Sequence, residues 1–142
     1  MDSTKTSELL NRISIVIEPI RIPLDLEDPS DYVNTLDGLI YYSPENNEGK
    51  EHEEIIGAIR LIYIDANSAI ENELSLFDVY DCSAETFEFF ESFINYDDEE
   101  FTKELTDFLE SELVLRGNNV LIIDRIGIRQ EYRGHNLGLI VL

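Results

Sequence analysis

Ten consecutive residues, Ile55 to Ile64 (IIGAIRLIYI), are apolar in both parities and interrupted by a single formal charge, Arg60. A half-buried strand would alternate, and a surface helix would repeat every three to four residues. This segment does neither, and its isoleucine content favours extended backbone. It predicts a central strand buried on both faces, which needs neighbours at both edges and cover above and below. The chain is thereby steered towards layers of sheet and helix.

The flanking segments supply candidates for those layers. Leu39 to Ser43 (LIYYS) reads as a short strand, and the polar stretch from Pro44 to Glu54 as a solvated loop. Residues 39–64 are therefore expected to form a β-hairpin with a long tip. Ile13 to Ile22 reads as extended, with Pro19 and Pro23 confining it to an edge or breaking it. Asp28-Pro29-Ser30-Asp31 is turn chemistry, with Ser30 or Asp31 placed to cap a short helix ending at Gly38. Residues 67–81 fit either a strand or a helical turn. Ser83 suits the N-cap of a helix over 84–94, with Phe87, Phe90, Phe93 and Ile94 on one face. A second helix is expected over 98–115 on the spacing of Phe101, Leu105, Phe108, Leu109 and Leu113. The acids at 97–100 suit its positive end, and Gly117 suits a left-handed terminating residue. Val120 to Ile128 (VLIIDRIGI) reads as a further strand, in which Gly127 marks a bulge or a close backbone approach. The fold class is α/β of the α+β kind: a mixed, mostly antiparallel sheet with flanking helices. At 142 residues one domain is expected, 1–142.

Charge narrows the function classes. Thirty-one acids against ten Lys and Arg give a formal net charge of −21. That field disfavours nucleic acid, whose binding rests largely on phosphate contacts, and anionic membranes. It favours a basic partner or a cationic substrate, or serves solubility alone. With 43% apolar residues the chain can still build a core. The lone cysteine, Cys82, sits beside Asp81 and is expected to be structural, since acidic neighbours disfavour the thiolate. Without an h-region or a long apolar run, the chain reads as cytoplasmic, with no membrane association.

Against this acidic background, four of the ten basic residues (Arg116, Arg125, Arg129 and Arg133) fall between positions 116 and 133. Residues 84–114 hold eleven acids and one lysine. The local positive charge serves either an anionic ligand or pairing with those acidic helices. The segment after the last strand favours the ligand. It runs Arg129-Gln130-Glu131-Tyr132-Arg133-Gly134-His135-Asn136-Leu137-Gly138 and then starts a helix. A glycine-bearing loop at a helix start presents unpaired backbone N–H groups, and the helix dipole adds to them, so the arrangement suits phosphate.

These residues resemble the acyl-CoA pyrophosphate loop of the GNAT N-acetyltransferase superfamily. Its pattern, Arg/Gln-x-x-Gly-x-Gly/Ala after the fourth strand, is commonly introduced by Tyr-Arg-Gly. Tyr132-Arg133-Gly134 matches the introduction, and Arg133, Asn136 and Gly138 occupy the defined positions. Asn136 departs from the preferred glycine, although Asn tolerates positive φ better than most residues. Gly57 also resembles the start of that family's second strand. The resemblance implies a GNAT-like acyl-CoA N-acyltransferase fold and transfer of an acyl group from acetyl-CoA, the co-substrate, to an amine acceptor, small molecule or peptide. It implies cofactor-binding roles for Ile128, Arg129, Arg133, Gly134, His135, Asn136, Leu137 and Gly138.

Two carboxylates are candidates for the catalytic base. Asp124 lies on the strand and is either a base or the ion-pair partner of Arg125. Glu131 lies in the loop and is either a base or solvated. His135 is either a surface residue or a phosphate contact, and no metal-ligand spacing is present. A full domain of the family continues into a further strand and helix, so the reading is of a C-terminally incomplete domain, weak or inactive alone. Its apolar end, Leu139-Ile140-Val141-Leu142, would be covered by a homodimer or another partner. The alternative is an acidic binding protein without catalysis, which docks on a basic protein or mimics nucleic acid.

Overall fold

A computed structural model describes residues 12–18, 27–43, 53–110 and 117–133. It is a mixed α+β structure with a four-stranded, open antiparallel sheet in the order β1-β2-β3-β4. The strands are β1 (Ile13–Ile17), β2 (Val33–Tyr42), β3 (Glu54–Ile64) and β4 (Val120–Ile128). Between β3 and β4 the chain forms α1 (Ala66–Glu71), α2 (Leu76–Tyr80), α3 (Ala84–Phe93) and α4 (Lys103–Glu110). By contacts the described chain gathers into two compact units. One holds 12–18, 36–43, 53–61 and 123–133, and the other holds 27–35, 62–110 and 117–122.

In the first unit, β1 pairs antiparallel with β2, placing Ile13 opposite Tyr42, Ile15 opposite Ile40 and Ile17 opposite Gly38. Leu36 and Ile40 of β2 and Ile56, Ile59 and Leu61 of β3 are buried. Between them Asp37 and Leu39 are exposed, and Asp37 is met by Arg60 at 2.8 Å. Gly57 is required here. A Cβ on it would run into the carbonyl oxygen of Gly127 and lie 3.0 Å from Ile128 Cδ1. Of the two alternatives at Gly127, the close approach is therefore present. Burial alternates without interruption from Val120 to Ile128, whereas an inserted residue would shift the pattern.

The second unit is built on helices. Its core holds Tyr32, Ile62, Ile64, Ala66, Ala69, Leu76, Val79, Tyr80, Phe90 and Ile94. Aromatic rings fill much of it: Phe90 lies 5.7 Å from Phe77, 5.6 Å from Tyr80 and 5.1 Å from Tyr96 between centroids. Ser83 caps α3 as expected. Its hydroxyl accepts from the Thr86 N–H at 3.2 Å, and Thr86 Oγ1 accepts from the Ser83 N–H at 3.2 Å. Thr86 also donates to the Tyr80 carbonyl at 2.6 Å, which lets a polar residue be fully buried. Gly117 has φ +120°, a conformation that L-residues rarely adopt, so glycine is needed there; a Cβ would also lie 2.6 Å from Asn67 Nδ2, which would have to shift.

Several boundaries differ from the sequence reading. The turn at 28–31 makes only the 3-10 turn Pro29–Tyr32, and β2 starts at Val33, so Gly38 lies inside a strand and ends no helix. Residues 67–81 resolve to α1 and α2. The second acidic helix begins at Lys103, not Asp98, because Ile94 bridges to Phe101 and holds 95–100 as a turn. Phe93 and Phe108, expected on apolar faces, are 38% and 69% exposed. Cys82, expected to be structural, is also exposed. Burial first, then the charges of Asp81, Asp28 and Asp78, push its thiol pKa up and away from nucleophilic use. The expected breaks at Pro19 and Pro23, the helix end before Gly117 and the apolar end at 139–142 lie outside the described residues.

The end of α1 supports a prediction. Glu73 N–H donates to the Ile70 carbonyl and Leu74 N–H to the Ala69 carbonyl, both at 3.0 Å, which is the paired bonding of a Schellman motif. The left-handed residue of that motif is usually glycine, yet here it is Glu73 at φ 60°. Glu73→Gly is expected to raise stability by about 1 kcal/mol, read as a higher urea midpoint. A lowered midpoint would mean that the Glu73 side chain contributes more than its backbone conformation costs.

Candidate functional site

The candidate site begins where β4 leaves the sheet. Val120, Ile122, Asp124, Ile126 and Ile128 form a half-buried row along β4 that alternates with the exposed Leu121, Ile123, Arg125 and Gly127. Arg129 extends the pairing by one bond, its N–H donating to the Ile56 carbonyl at 2.8 Å. The chain then makes the 3-10 turn Gln130–Tyr132, in which the Tyr132 N–H donates to the Arg129 carbonyl at 3.0 Å.

Two residues of the neighbouring strands fasten this turn. The Tyr132 hydroxyl donates to Glu54 Oε2 at 2.6 Å, and its ring meets Tyr42 edge-on at 6.1 Å. The other Glu54 oxygen lies 3.8 Å from the Arg129 guanidinium. One carboxylate at the start of β3 thus holds both a phenol and an arginine of the post-strand turn. The hydrogen bond to Glu54 pushes the Tyr132 pKa up. Burial and the charges of Glu54 and Glu131 act in the same direction, and Arg129 opposes them. Tyr132 therefore stays protonated and donates throughout the neutral range. Arg133 turns back, its Nε donating to the Ile128 carbonyl at 2.8 Å.

No protein-family model matches the chain, and neither a curated protein nor a solved structure matches it.

The sequence candidates fall into three groups. Ile128, Arg129 and Arg133 are brought together within one turn at the end of β4. Gly134, His135, Asn136, Leu137 and Gly138 follow directly and lie outside the described residues. Asp124 and Glu131 are not brought together. Glu131 is exposed in the 3-10 turn, whereas Asp124 is half-buried, four residues back along β4 from Ile128, or about 13 Å at ~3.3 Å per residue. Adjacent strand residues point to opposite faces, so Asp124 and Arg125 are not a natural ion pair. Among the described residues no group of three or more acids, histidines or cysteines could hold a metal. No described helix is long and apolar enough to cross a membrane.

The sequence reading missed Glu54 and Tyr42. Glu54 sits in the acid-rich run Glu51-His52-Glu53-Glu54, which composition alone assigns to solvent. Its only distinguishing mark is its place as the first residue of β3.

Around the turn Arg125, Arg129 and Arg133 are matched in number by Asp124, Glu131 and Glu54, on a chain whose net charge is −21. The Arg129 side chain is half exposed despite its contact with Glu54, so its outer face remains open to a ligand. Both guanidiniums are positioned by the fold before any ligand arrives, which lowers the ordering cost of binding.

Proposed function

We propose that this chain is a GNAT-like acyl-CoA-binding protein that transfers an acetyl group from acetyl-CoA to an amine. The observation that carries this reading is the placement of Tyr132-Arg133-Gly134, with Gly138 four residues on. The motif follows a strand that ends in a turn fastened by Glu54, Ile56 and the Ile128 carbonyl. A phosphate loop works only if its backbone donors are held in one arrangement, and an anchored entry meets that requirement. In this reading Arg129 and Arg133 supply positive charge to the pyrophosphate, and the N–H groups from Gly134 onward supply donors.

The thioester of the co-substrate supplies the activated acyl group. What the chain must add is position and a proton acceptor for the amine. Asp124 suits that role better than Glu131. It is partly withdrawn from solvent, and its distance from the loop is of the order of a pantetheine arm, which separates pyrophosphate from thioester. Glu131, beside the loop, would sit against phosphate.

The test is calorimetric titration of the chain with acetyl-CoA. Saturable binding is expected, with loss of at least tenfold in affinity in an Arg133→Glu, Gly134→Asp double variant whose circular dichroism is unchanged. Asn136→Gly, which restores the common motif, is expected to bind at least as tightly as the parent. Asp124→Asn should retain binding and lose transfer to an amine. A folded parent chain that does not bind acetyl-CoA would overturn the reading. The alternative, an acidic protein that docks on a basic partner, draws support from α3, where Glu85, Glu88 and Glu91 are all exposed. A salt-sensitive complex with a basic protein and no acetyl-CoA binding would favour it.

A further inference from the structure

β4 is an end strand of the sheet, with no neighbour on its outer side among the described residues. Successive residues of a strand turn their N–H and carbonyl groups to opposite edges. The Arg129 N–H reaches the Ile56 carbonyl and the Gly127 carbonyl lies against Gly57, so the odd-numbered residues of this segment face β3. The even-numbered residues therefore face outward. One of their outward groups, the Ile128 carbonyl, is taken by Arg133 Nε at 2.8 Å. At the other end the Asn118 N–H is taken by Asn67 Oδ1 at 2.9 Å. Between these two stops lie Val120, Ile122, Asp124 and Ile126, and among the described residues no strand pairs with their outward groups.

This edge lacks the usual protections. Exposed edge strands are kept from pairing by shortness, by proline or lysine, or by a bulge. β1, at the other side of the sheet, is five residues long. β4 has nine, with neither proline nor lysine, and its unbroken alternation of burial leaves no bulge. Its outer row adds apolar surface, with Leu121 56% and Ile123 43% exposed. Its charge is balanced: Asp124 and Arg125 are the charged residues between 117 and 128, on a chain of net charge −21.

We infer that β4 pairs antiparallel with β4 of a second copy, about a two-fold axis at Ile123. A two-fold perpendicular to the sheet sets even-numbered residues opposite even-numbered ones, so few registers exist. Centred on Ile123, Val120 meets Ile126 of the second copy and Ile122 meets its Asp124. Every outward N–H and carbonyl from Val120 to Ile126 then finds a partner. On the exposed face Ile123 meets Ile123, and Leu121 meets the stem of Arg125 of the second copy. Centring on Asp124 or on Arg125 would set like charges directly opposite and run outward groups into the Ile128 carbonyl that Arg133 occupies. Centring on Ile122 would set Ile126 against Asn118, whose N–H is already given to Asn67. The strand is thus complementary to itself in one register, as an isologous interface requires, and this selects a second copy over an unrelated strand. Pairing at this edge is independent of the acyl-CoA reading.

The test is sedimentation equilibrium of the full chain. A mass of twice 16.4 kDa is expected, with a dissociation constant of about 100 μM or below. Two copies of net charge −21 repel each other, so the dimer should tighten several-fold as salt rises from about 0.05 to about 0.5 M. A complex with a basic protein would weaken instead. Ile123→Lys, at an exposed position, should weaken association at least tenfold with unchanged circular dichroism. Cysteine cross-linking in a Cys82→Ser background reads the register. Ile123→Cys should form an intermolecular disulfide on mild oxidation, because opposed residues of this pair type lie ~4.5 Å apart between Cα atoms, within disulfide range. Leu121→Cys should not, since the stagger puts its two copies about 14 Å apart along the strands. The inference is overturned if the chain stays monomeric up to about 1 mM, if Ile123→Lys associates as the parent does, or if Leu121→Cys cross-links as readily as Ile123→Cys. In a monomer, slow amide exchange at Ile122, Asp124 and Ile126 would assign the edge to another segment of the same chain.

Discussion

Gly57→Val is expected to be among the most damaging single substitutions in the sheet, and Gly127→Ala, across the same contact, among the mildest. At Gly57 a Cβ would run into the Gly127 carbonyl oxygen, with Ile128 Cδ1 at 3.0 Å and Ile40 Cδ1 at 3.2 Å behind it. A flexible side chain could swing away, but a ladder carbonyl moves only if β3 and β4 separate. Overpacking of this kind costs about 1–3 kcal/mol, and two further methyl groups put valine at the upper end. With a urea slope of ~1–3 kcal/mol per molar, the midpoint should fall by about 1–3 M. At Gly127 the nearest obstacle to a Cβ is the Ala58 carbonyl at 3.9 Å, ordinary contact distance. Replacing a strand glycine by alanine there removes unfolded-chain freedom, so Gly127→Ala should be neutral or slightly stabilising. Equal effects at the two positions would show that the close approach is not what holds Gly57 as glycine. The contact also lies two residues before Arg129, so separating β3 from β4 would displace the turn that Glu54 fastens.

What could be read from the sequence follows the range of the physics behind each element. The strands over 55–64 and 120–128 and the cap at Ser83 are local signals, namely apolar content, β-branching and a hydroxyl three residues before its target. Each is found where expected, to within a residue. β2 was only partly legible. Its first half, Val33 to Gly38, carries Asn34, Thr35 and Asp37, which composition assigns to a turn. Its exposed face tolerates them because Arg60, on the next strand, meets Asp37. That partner is 23 residues away and cannot be found before the hairpin is known. Thr86 was hidden for the opposite reason: a polar residue inside an apolar face, buried because a carbonyl six residues earlier accepts its proton. At the candidate site the motif was visible in the chain, but the clamp was not. Glu54 differs from the neighbouring acids only in what the sheet places beside it.

The same distinction governs the acids at 97–100. Their sequence position suggests that they favour the start of the helix that follows. Glu99 instead serves α2, more than twenty residues earlier, where one carboxylate receives the Ser75 hydroxyl and the Leu76 and Phe77 N–H groups. Those N–H groups open a helix of five residues, too short to stand without outside support. Glu99→Ala is therefore expected to cost about 2–3 kcal/mol, the range for hydrogen bonds to a charged group combined with loss of a cap. Glu99 also holds φ 55°, which costs an L-residue about 1 kcal/mol and glycine almost nothing. Glu99→Gly should accordingly be about 1 kcal/mol less damaging than Glu99→Ala, and this gap separates backbone from side chain. The loss should depend on pH in one direction. Burial alone would raise the Glu99 pKa, but the bonds from Ser75, Leu76 and Phe77 outweigh it and hold the carboxyl below its ordinary 4.5. A folded-state pKa below the unfolded one means that the stabilisation is complete above the unfolded value and fades as pH falls through the folded one. The stability difference between the parent and Glu99→Ala, followed by urea denaturation, should stay constant from neutral pH down to about 5 and then shrink. A difference that persists unchanged well below pH 4 would show that Glu99 supports α2 by packing, with its charge playing no part.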